Sequence, residues 1–343
     1  MTVQLASAPS VRSLVSISRR GVALRATVWG LVLVGGFGVP YALSMYQLQL
    51  AVQGVTLGIA ALGVGWLRRQ TGLLSFGHAA FYGFSSYGVA LLSNLAGTGT
   101  GVALLLGALG GALAALLIGA VIVRAGGIAF SMLTLATGML IYVTVVQNRD
   151  VTHGYDGLPI QLQTNFLGKH PNAFGGPVQF WPVAWTVLLA VIAISWLIAR
   201  SVFGRHLVAI RENPERTRFT GRRTYLPKVI AFTFSGFLAS LAGALSALNT
   251  SYVSPDSLFW SMSGQILVVA VIGGVGSFWG PPIGALIYVF LQASLAASPY
   301  YLIVIGSILI VVVIAAPGGI VELATRVSRL IPRLRERKES RRA

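Results

Sequence analysis

Val102-Ala-Leu-Leu-Leu-Gly-Ala-Leu-Gly-Gly-Ala-Leu-Ala-Ala-Leu-Leu-Ile-Gly-Ala-Val-Ile-Val123 contains no charged, amide or hydroxyl side chain. Coiled as an α-helix at about 1.5 Å per residue, it reaches about 33 Å, enough to cross the roughly 30 Å hydrocarbon core of a bilayer. Nine further stretches read the same way: Ala26 to Tyr46, Gln47 to Leu67, Leu73 to Leu95, Gly127 to Val146, Pro182 to Ala199, Val229 to Asn249, Gly264 to Val275, Pro282 to Ala297 and Tyr300 to Ala316. The sequence therefore predicts an all-α integral membrane protein of about ten transmembrane helices. The first span follows Arg19, Arg20 and Arg25 without a small-residue cleavage site, so it reads as a retained helix.

The composition agrees. Hydrophobic residues make up 55% of the 343 and charged residues only 10%, against about 25% in a soluble domain. The organisation expected is a cytoplasmic N-terminal segment, residues 1–25, a membrane domain, residues 26–316, and a basic tail, residues 317–343. Two longer connections interrupt the membrane domain, at residues 147–181 and 200–228.

Basic residues fix the orientation. With the N-terminus in the cytoplasm, 23 of the 25 Lys and Arg fall inside and only Arg149 and Lys169 outside, so an even number of spans with both termini cytoplasmic satisfies the positive-inside rule. The last four spans run opposite to spans two to five, as an inverted repeat requires. Small residues recur four apart at Gly54 and Gly58, Gly107 and Gly111, Gly236 and Ser240, Ala239 and Gly243, and Gly280 and Gly284, a spacing that lets helix backbones approach closely.

The same distribution excludes several classes of function. The net charge of +17 sits in loops rather than on one amphipathic face, which argues against nucleic-acid binding. The absence of cysteine removes disulfides, thiolate metal sites and Cys nucleophiles. No phosphate loop of the GxxxxGK[ST] type is present, and Gly168-Lys169-His170 has neither its spacing nor its hydroxyl. No Asp or Glu lies within a span, which weakens proton coupling more than sodium coupling, because carbonyls and hydroxyls can hold sodium. His78 is the one candidate base inside a span, too little for an intramembrane enzyme. It reads either as a neutral imidazole hydrogen-bonded in a turn or as a contact for cargo. No catalytic residue, metal site or cofactor is expected; His153 and His170 lack the spacing of metal ligands.

The inner connection carries one well-defined local signal. Asn213 suits an N-cap, Pro214 the first helical position, Glu215 the positive helix end and Gly221 the C-terminal turn, which predicts a helix of about two turns. Phe219 and its flanking arginines give that helix an apolar and a charged handle. Docking to a protein and a solvated basic loop both account for it.

Several stretches carry a resemblance. Gly72 to Phe81 (Gly-Leu-Leu-Ser-Phe-Gly-His-Ala-Ala-Phe), Gly127 to Ala136, Phe203 to Pro214, Ala242 to Leu245 and Val271 to Ala285 (Val-Ile-Gly-Gly-Val-Gly-Ser-Phe-Trp-Gly-Pro-Pro-Ile-Gly-Ala) resemble, in order, the LivM-like permease subunits of branched-chain amino-acid ABC importers. The resemblance runs from about Gln47 to Gln292. It implies a bacterial inner-membrane permease that pairs with a related permease as a heterodimer, with two cytoplasmic ATP-binding subunits and a periplasmic solute-binding protein. It implies that Ala209, Ile210, Arg211, Glu212, Asn213, Pro214, Glu215 and Gly221 belong to the helix that seats in an ATPase. The chain departs from the family pattern at Arg218 to Arg223 and at His153 to Leu158.

The expected cargo is a branched-chain or other apolar amino acid, with urea, sugar or nucleoside cargo and an ion-coupled carrier as alternatives. An uncharged path suits a zwitterion. Its expected lining is small and hydroxyl-bearing: Ser75, Gly77, Thr134, Thr137, Ser235, Gly273 and Gly274, together with His78.

Overall fold

A computed structural model describes residues 36–95, 98–161, 176–296, 298, 300–315 and 318–323. Most of the predicted first span, the segment of residues 1–25, Lys169 and His170 of the outer connection, and the tail from residue 324 lie outside the described residues. Residues 36–42 are helical and belong to their own compact unit; the helical bundle is the unit from Leu43 onward.

The first helix of the bundle, α1 (Met45–Thr71), starts at a capping box. Ser44 Oγ accepts from the Gln47 amide at 3.3 Å, and Gln47 Oε1 accepts from the Ser44 amide at 3.1 Å, satisfying two donors that the first turn would otherwise leave unpaired. It ends at Gly72, with Arg68 and Arg69 in the last turn at the negative end of the helix dipole. Of its apolar stretch, 89% is buried inside the protein. A helix that is apolar all round can be covered in this way, and α1 forms the centre of the bundle.

Then follow α2 (His78–Leu95), α3 (Thr100–Ile122), α4 (Gly127–Gln147), the single turn α5 (Arg149–Thr152), a 3-10 turn over Gly154–Asp156 and the short strand β1 (Leu158–Pro159). After the outer connection come α6 (Pro177–Arg200), α7 (Val202–Glu212), α8 (Pro214–Phe219) and α9 (Tyr225–Thr250). Strand β2 (Tyr252–Val253), a 3-10 turn over Pro255–Leu258, α10 (Trp260–Gly273), α11 (Gly280–Leu295) and α12 (Tyr301–Ala315) complete the described chain. Helix α1 packs on α6, α9, α10 and α11, while α9 also packs on α2 and α3. Only 17% of the apolar stretch of α4 is buried, which places α4 at the periphery.

Five described helices, α1, α3, α4, α6 and α9, are long and apolar enough to cross a membrane, at 21 to 27 residues. Helices α10 and α11 are shorter, at 14 and 16 residues. At about 1.5 Å per residue they reach roughly 21 and 24 Å, less than the hydrocarbon thickness, so each needs protein around its ends. They have it: the ends of α10 and α11 pack backbone to backbone through Gly273, Gly274 and Gly280, against Gly318 and Gly319.

The structure moves several sequence-based boundaries. The third predicted span begins at His78 rather than Leu73, because Gly72 adopts a left-handed φ of 74° and residues 73–77 leave the helix. The sixth begins at Pro177, a residue suited to the first helical turn. The eighth begins at Trp260. The prediction of an all-helical chain also misses a two-residue antiparallel ladder, in which Leu158 pairs with Val253 and Pro159 with Tyr252. Asn94 clamps this ladder by donating to the Pro159 carbonyl at 2.6 Å and accepting from the Gln161 amide at 2.9 Å. The connection after α4 is thereby tied to the end of α9.

A tight helix contact lies at Gly243, where a Cβ would stand 1.9 Å from the Tyr82 carbonyl oxygen. No side chain fits there, so α9 and α2 touch through their backbones. Gly243→Val should separate the two helices and destabilise the protein by about 1–3 kcal/mol, as overpacking does. Gly264, with nothing within 4 Å of its Cβ position, should accept alanine without loss. Apparent melting temperatures of the two variants in detergent check this, and an unchanged Gly243→Val value would refute it.

Candidate translocation path and coupling segment

Between α1 and α2 the chain leaves the helix, and its backbone groups take partners from distant elements. The Phe76 amide donates to Thr134 Oγ1 at 3.1 Å, Ser131 Oγ donates to the Leu74 carbonyl at 2.6 Å, and the Ala79 amide donates to Ser263 Oγ at 2.9 Å. Thr71 and Ser75 hydroxyls accept from the Leu73 and Gly77 amides. Buried backbone polar groups are costly when unpaired, and here side chains of α4 and α10 pair them.

His78 opens α2 at the centre of this arrangement and is completely buried. Its Nε2 lies 2.6 Å from Ser235 Oγ and its Nδ1 3.0 Å from Ser75 Oγ. Ser235 Oγ donates to the Gly63 carbonyl at 2.8 Å, which commits its proton. Nε2–H must then donate to Ser235, leaving Nδ1 to accept from the Ser75 hydroxyl. Every proton is assigned with a neutral imidazole. The ring is enclosed edge-on by Phe81 and Phe232, with centroids 6.0 and 6.3 Å away.

The structure thus brings Ser75, Gly77, His78, Thr134 and Ser235 into one packed cluster. The void beside it, lined by Gly77, Thr134, Thr137 and Gly138, measures only about 10 Å³. Thr137 is half-buried one turn further along α4, bonded to the Leu133 carbonyl. Gly273 and Gly274 are elsewhere, at the junction of α10 and α11. In this conformation that void is too small for cargo.

Space exists beside the cluster, from Tyr82 one turn further along α2 to the first part of α1 and the end of α9. Two hollows of about 410 and 380 Å³ share Tyr82, Ser246, Thr250, Met262 and Gln265 and so make one cleft. Gln53, Thr56 and Gln292 line the first hollow, Asp256 and Ser257 the second. Their signal in the sequence is the amide side chains Gln53, Gln265 and Gln292 inside apolar spans.

The inner connection folds into two helices. Ser201 caps α7 by accepting from the Gly204 amide at 3.2 Å, and Asn213 caps α8 by accepting from the Arg216 amide at 2.8 Å. Pro214 and Glu215 occupy the first turn of α8. Gly221, at φ 76°, ends the turn; its conformation is strained for any residue with a Cβ. Thr217 Oγ1 donates to the Ala209 and Asn213 carbonyls, locking α8 against α7. Helix α7 was not foreseen from the sequence; it buries Leu207 and Ile210 towards the bundle. Arg211 carries the link further by donating to the Arg69 carbonyl at the end of α1 at 2.5 Å while its guanidinium pairs with Glu212. Phe219 is 91% exposed. A groove of about 600 Å³, lined by Arg205, His206, Glu212, Asn213, Arg216 and Arg222, runs between the two helices.

Residues 46–313 match the pattern of a protein family described as branched-chain amino acid transport system / permease component. The chain is similar to the high-affinity branched-chain amino acid transport system permease protein LivM of Salmonella typhimurium, 26% identical over 83% of this chain and 72% of that protein. It is 25% identical to LivM of Escherichia coli over the same shares. A shorter similarity, 29% identity over 32% of this chain and 33% of the relative, links it to the autoinducer 2 import system permease protein LsrC of Photorhabdus luminescens. No solved structure matches significantly.

The neutral His78 network is testable through its stability. Ser235→Ala removes the acceptor of Nε2–H and the donor to the Gly63 carbonyl, and should destabilise the protein by about 1–3 kcal/mol. Thr137→Ala, which removes only a bond within its own helix turn, should change stability by less than about 0.5 kcal/mol. Thermal unfolding of both variants in detergent checks the contrast; equal effects would refute the network.

Proposed function

The chain belongs to the permease-component family of branched-chain amino acid transport systems, so it is a multi-pass membrane subunit of an ABC importer, and on that footing we propose what it carries and how it is driven. The cargo is a branched-chain or other apolar amino acid, received from a periplasmic solute-binding protein and released to the cytoplasm across the bacterial inner membrane. The chain pairs with a related permease, and two cytoplasmic ATPase subunits supply the work. Both termini and the connection of residues 200–228 face the cytoplasm, as the distribution of basic residues supports.

The observation that carries the reading is the α7–α8 unit. Its short helix is capped at both ends, it presents Phe219 to the outside, and Arg211 joins it to the end of the central helix. An isolated helix of this length is unstable in water and needs such supports to hold its shape. Closure of the ATPases would move α8, and α7 and Arg211 would pass the displacement to α1 as a rigid-body shift. The proposed path runs past Ser75, Gly77, His78, Thr134, Thr137, Ser235, Gly273 and Gly274 once the bundle opens.

A second reading is favoured by one observation, the similarity to LsrC, whose name gives autoinducer 2 as cargo. Uptake assays with leucine and with autoinducer 2 separate the two.

For the coupling segment, Glu212→Ala and Gly221→Val should each lower ATP-driven uptake about tenfold, a loss of roughly 1.4 kcal/mol in the coupled step. Membrane insertion of the chain and cargo affinity of the binding protein should stay the same. Because the chain has no cysteine, Thr220→Cys offers a single crosslinking site. An active transporter in which Thr220→Cys never crosslinks to an ATPase subunit would rule the assignment out.

A further inference from the structure

We propose that the groove between α7 and α8 is a binding site for a phosphate group, gripped by Arg205 of α7, Arg216 of α8 and Arg222 beyond Gly221. The site is separate from the cargo path and does not rest on the identity of the cargo.

The folding of the inner connection puts the charges on one groove. Val202, Arg205, His206 and Ala209 recur at helical spacing and line it, while Leu207 and Ile210 are buried towards the bundle. Asn213 ends α7, Pro214 starts α8, and Thr217 Oγ1 ties the second helix back to the Ala209 carbonyl at 3.1 Å. Arg216 thereby reaches the same groove. The left-handed turn at Gly221 is followed at once by Arg222, which lines it as well. The space is about 600 Å³, ample for a phosphate and an organic group attached to it.

What this lining still has to offer is positive. Glu212 is its one carboxylate and is paired with Arg211, and Glu215 does not line the groove. Asn213 Oδ1 is taken by the Arg216 amide, and the Thr217 and Thr220 hydroxyls donate to backbone carbonyls. Arg205 spends one donor, Nη1, on the Arg200 carbonyl at 3.0 Å, which steadies its guanidinium without neutralising it. No ion pair among the described residues reaches Arg205, Arg216 or Arg222. The ring of His206 lines the groove too, and its buried Nε2 has no hydrogen-bond partner, which leaves a polar group beside the arginines unsatisfied.

Like charges gathered in a concave site repel one another, and an anion held between them removes that repulsion. The donors select the anion. Guanidinium forks match phosphate oxygens two at a time, and a phosphate monoester brings about −1.5 to −2 charges and three acceptor oxygens, where a carboxylate brings a single charge. Bound across the groove, it bridges α7 and α8 and adds to the Thr217 bonds. A soluble phosphate and a phospholipid headgroup share this chemistry.

Val202 is exposed in the groove and the chain has no native cysteine, so Val202→Cys places a reporter thiol there. In the full transporter in phosphatidylcholine nanodiscs, inorganic phosphate should slow its modification by a neutral methanethiosulfonate reagent at least about threefold, and chloride at matched ionic strength should not. With Arg205→Gln and Arg216→Gln added, this protection should disappear and the ratio of anionic to cationic reagent rates should fall about tenfold. Arg205→Lys with Arg216→Lys keeps the charge and controls for folding: the reagent ratio should hold while protection weakens about threefold. Nanodiscs of phosphatidylglycerol identify the source. Protection there without added phosphate assigns the site to a lipid headgroup, and protection by phosphate alone assigns it to a soluble ligand. Rates that neither phosphate nor phosphatidylglycerol changes by more than about twofold overturn the proposal. So does protection that survives the glutamine variant, or a thiol unreactive in every condition, which shows a protein neighbour filling the groove.

Discussion

Residues 73–77 lie outside the helices on either side, and their buried backbone groups need partners that water does not supply. The chain meets this constraint with hydroxyls: Thr134 and Ser131 from α4, Ser263 from α10, and Thr71 and Ser75 nearby. The bonds from Thr134, Ser131 and Ser263 join the break and the start of α2 to α4 and α10. The neutral His78 bridges Ser75 to Ser235, and Ser235 passes the chain on to the Gly63 carbonyl of α1. Replacing a run of intrahelical bonds by interhelical ones costs little enthalpy, but it makes the position of every partner helix conditional on the others.

That dependence gives the proposed mechanism its mechanical route. Helix α1 is the most deeply enclosed of the long helices, and its end is held by Arg211 from α7. Arg69 of the same turn stacks over Phe278, with its guanidinium carbon 4.4 Å from the ring centroid, which ties the connection between α10 and α11 to the same point. A push on α8 therefore reaches α1 and the α10–α11 turn together. Packed interiors switch between discrete arrangements rather than deform gradually, so a small displacement at this end would be expressed as a rigid movement of whole helices.

Most of the helices were legible because long apolar runs leave a periodicity and hydropathy that nothing else imitates; Val102 to Val123 and Thr100–Ile122 differ by two residues at one end and one at the other. The cap chemistry of Asn213 and Pro214 was legible for the same local reason. What escaped depends on partners far along the chain. The bond from the Ala79 amide to Ser263 spans 184 residues and that from Phe76 to Thr134 spans 58, so no window of sequence could place the start of α2 at His78. Helix α7 was missed because Arg205, His206, Arg211 and Glu212 make it read as a solvated loop, whereas its Leu207 and Ile210 are held by the bundle. The two-residue ladder has too few residues for a strand signal and exists through the Asn94 clamp. The cleft was invisible because a glutamine in an apolar run is ambiguous until the neighbouring helices are in place.

The separation of the packed cluster from the open cleft carries a consequence for how cargo passes. Ser75, His78, Thr134 and Ser235 hold the cluster's hydrogen bonds, and pulling them apart would leave Nε2 of His78, the Gly63 carbonyl and the Phe76 amide without partners, at about 1–3 kcal/mol each. Such an opening becomes affordable only if water or a polar cargo enters as the helices part. Cargo with its own donors and acceptors can take over those bonds one by one, whereas an ion without them cannot. A buried charge would have made the cluster cheaper to wet but would also have trapped a zwitterion, since an uncompensated carboxylate at depth is costly to leave behind. Keeping the closed region neutral leaves the passage itself to dipoles that release as readily as they bind.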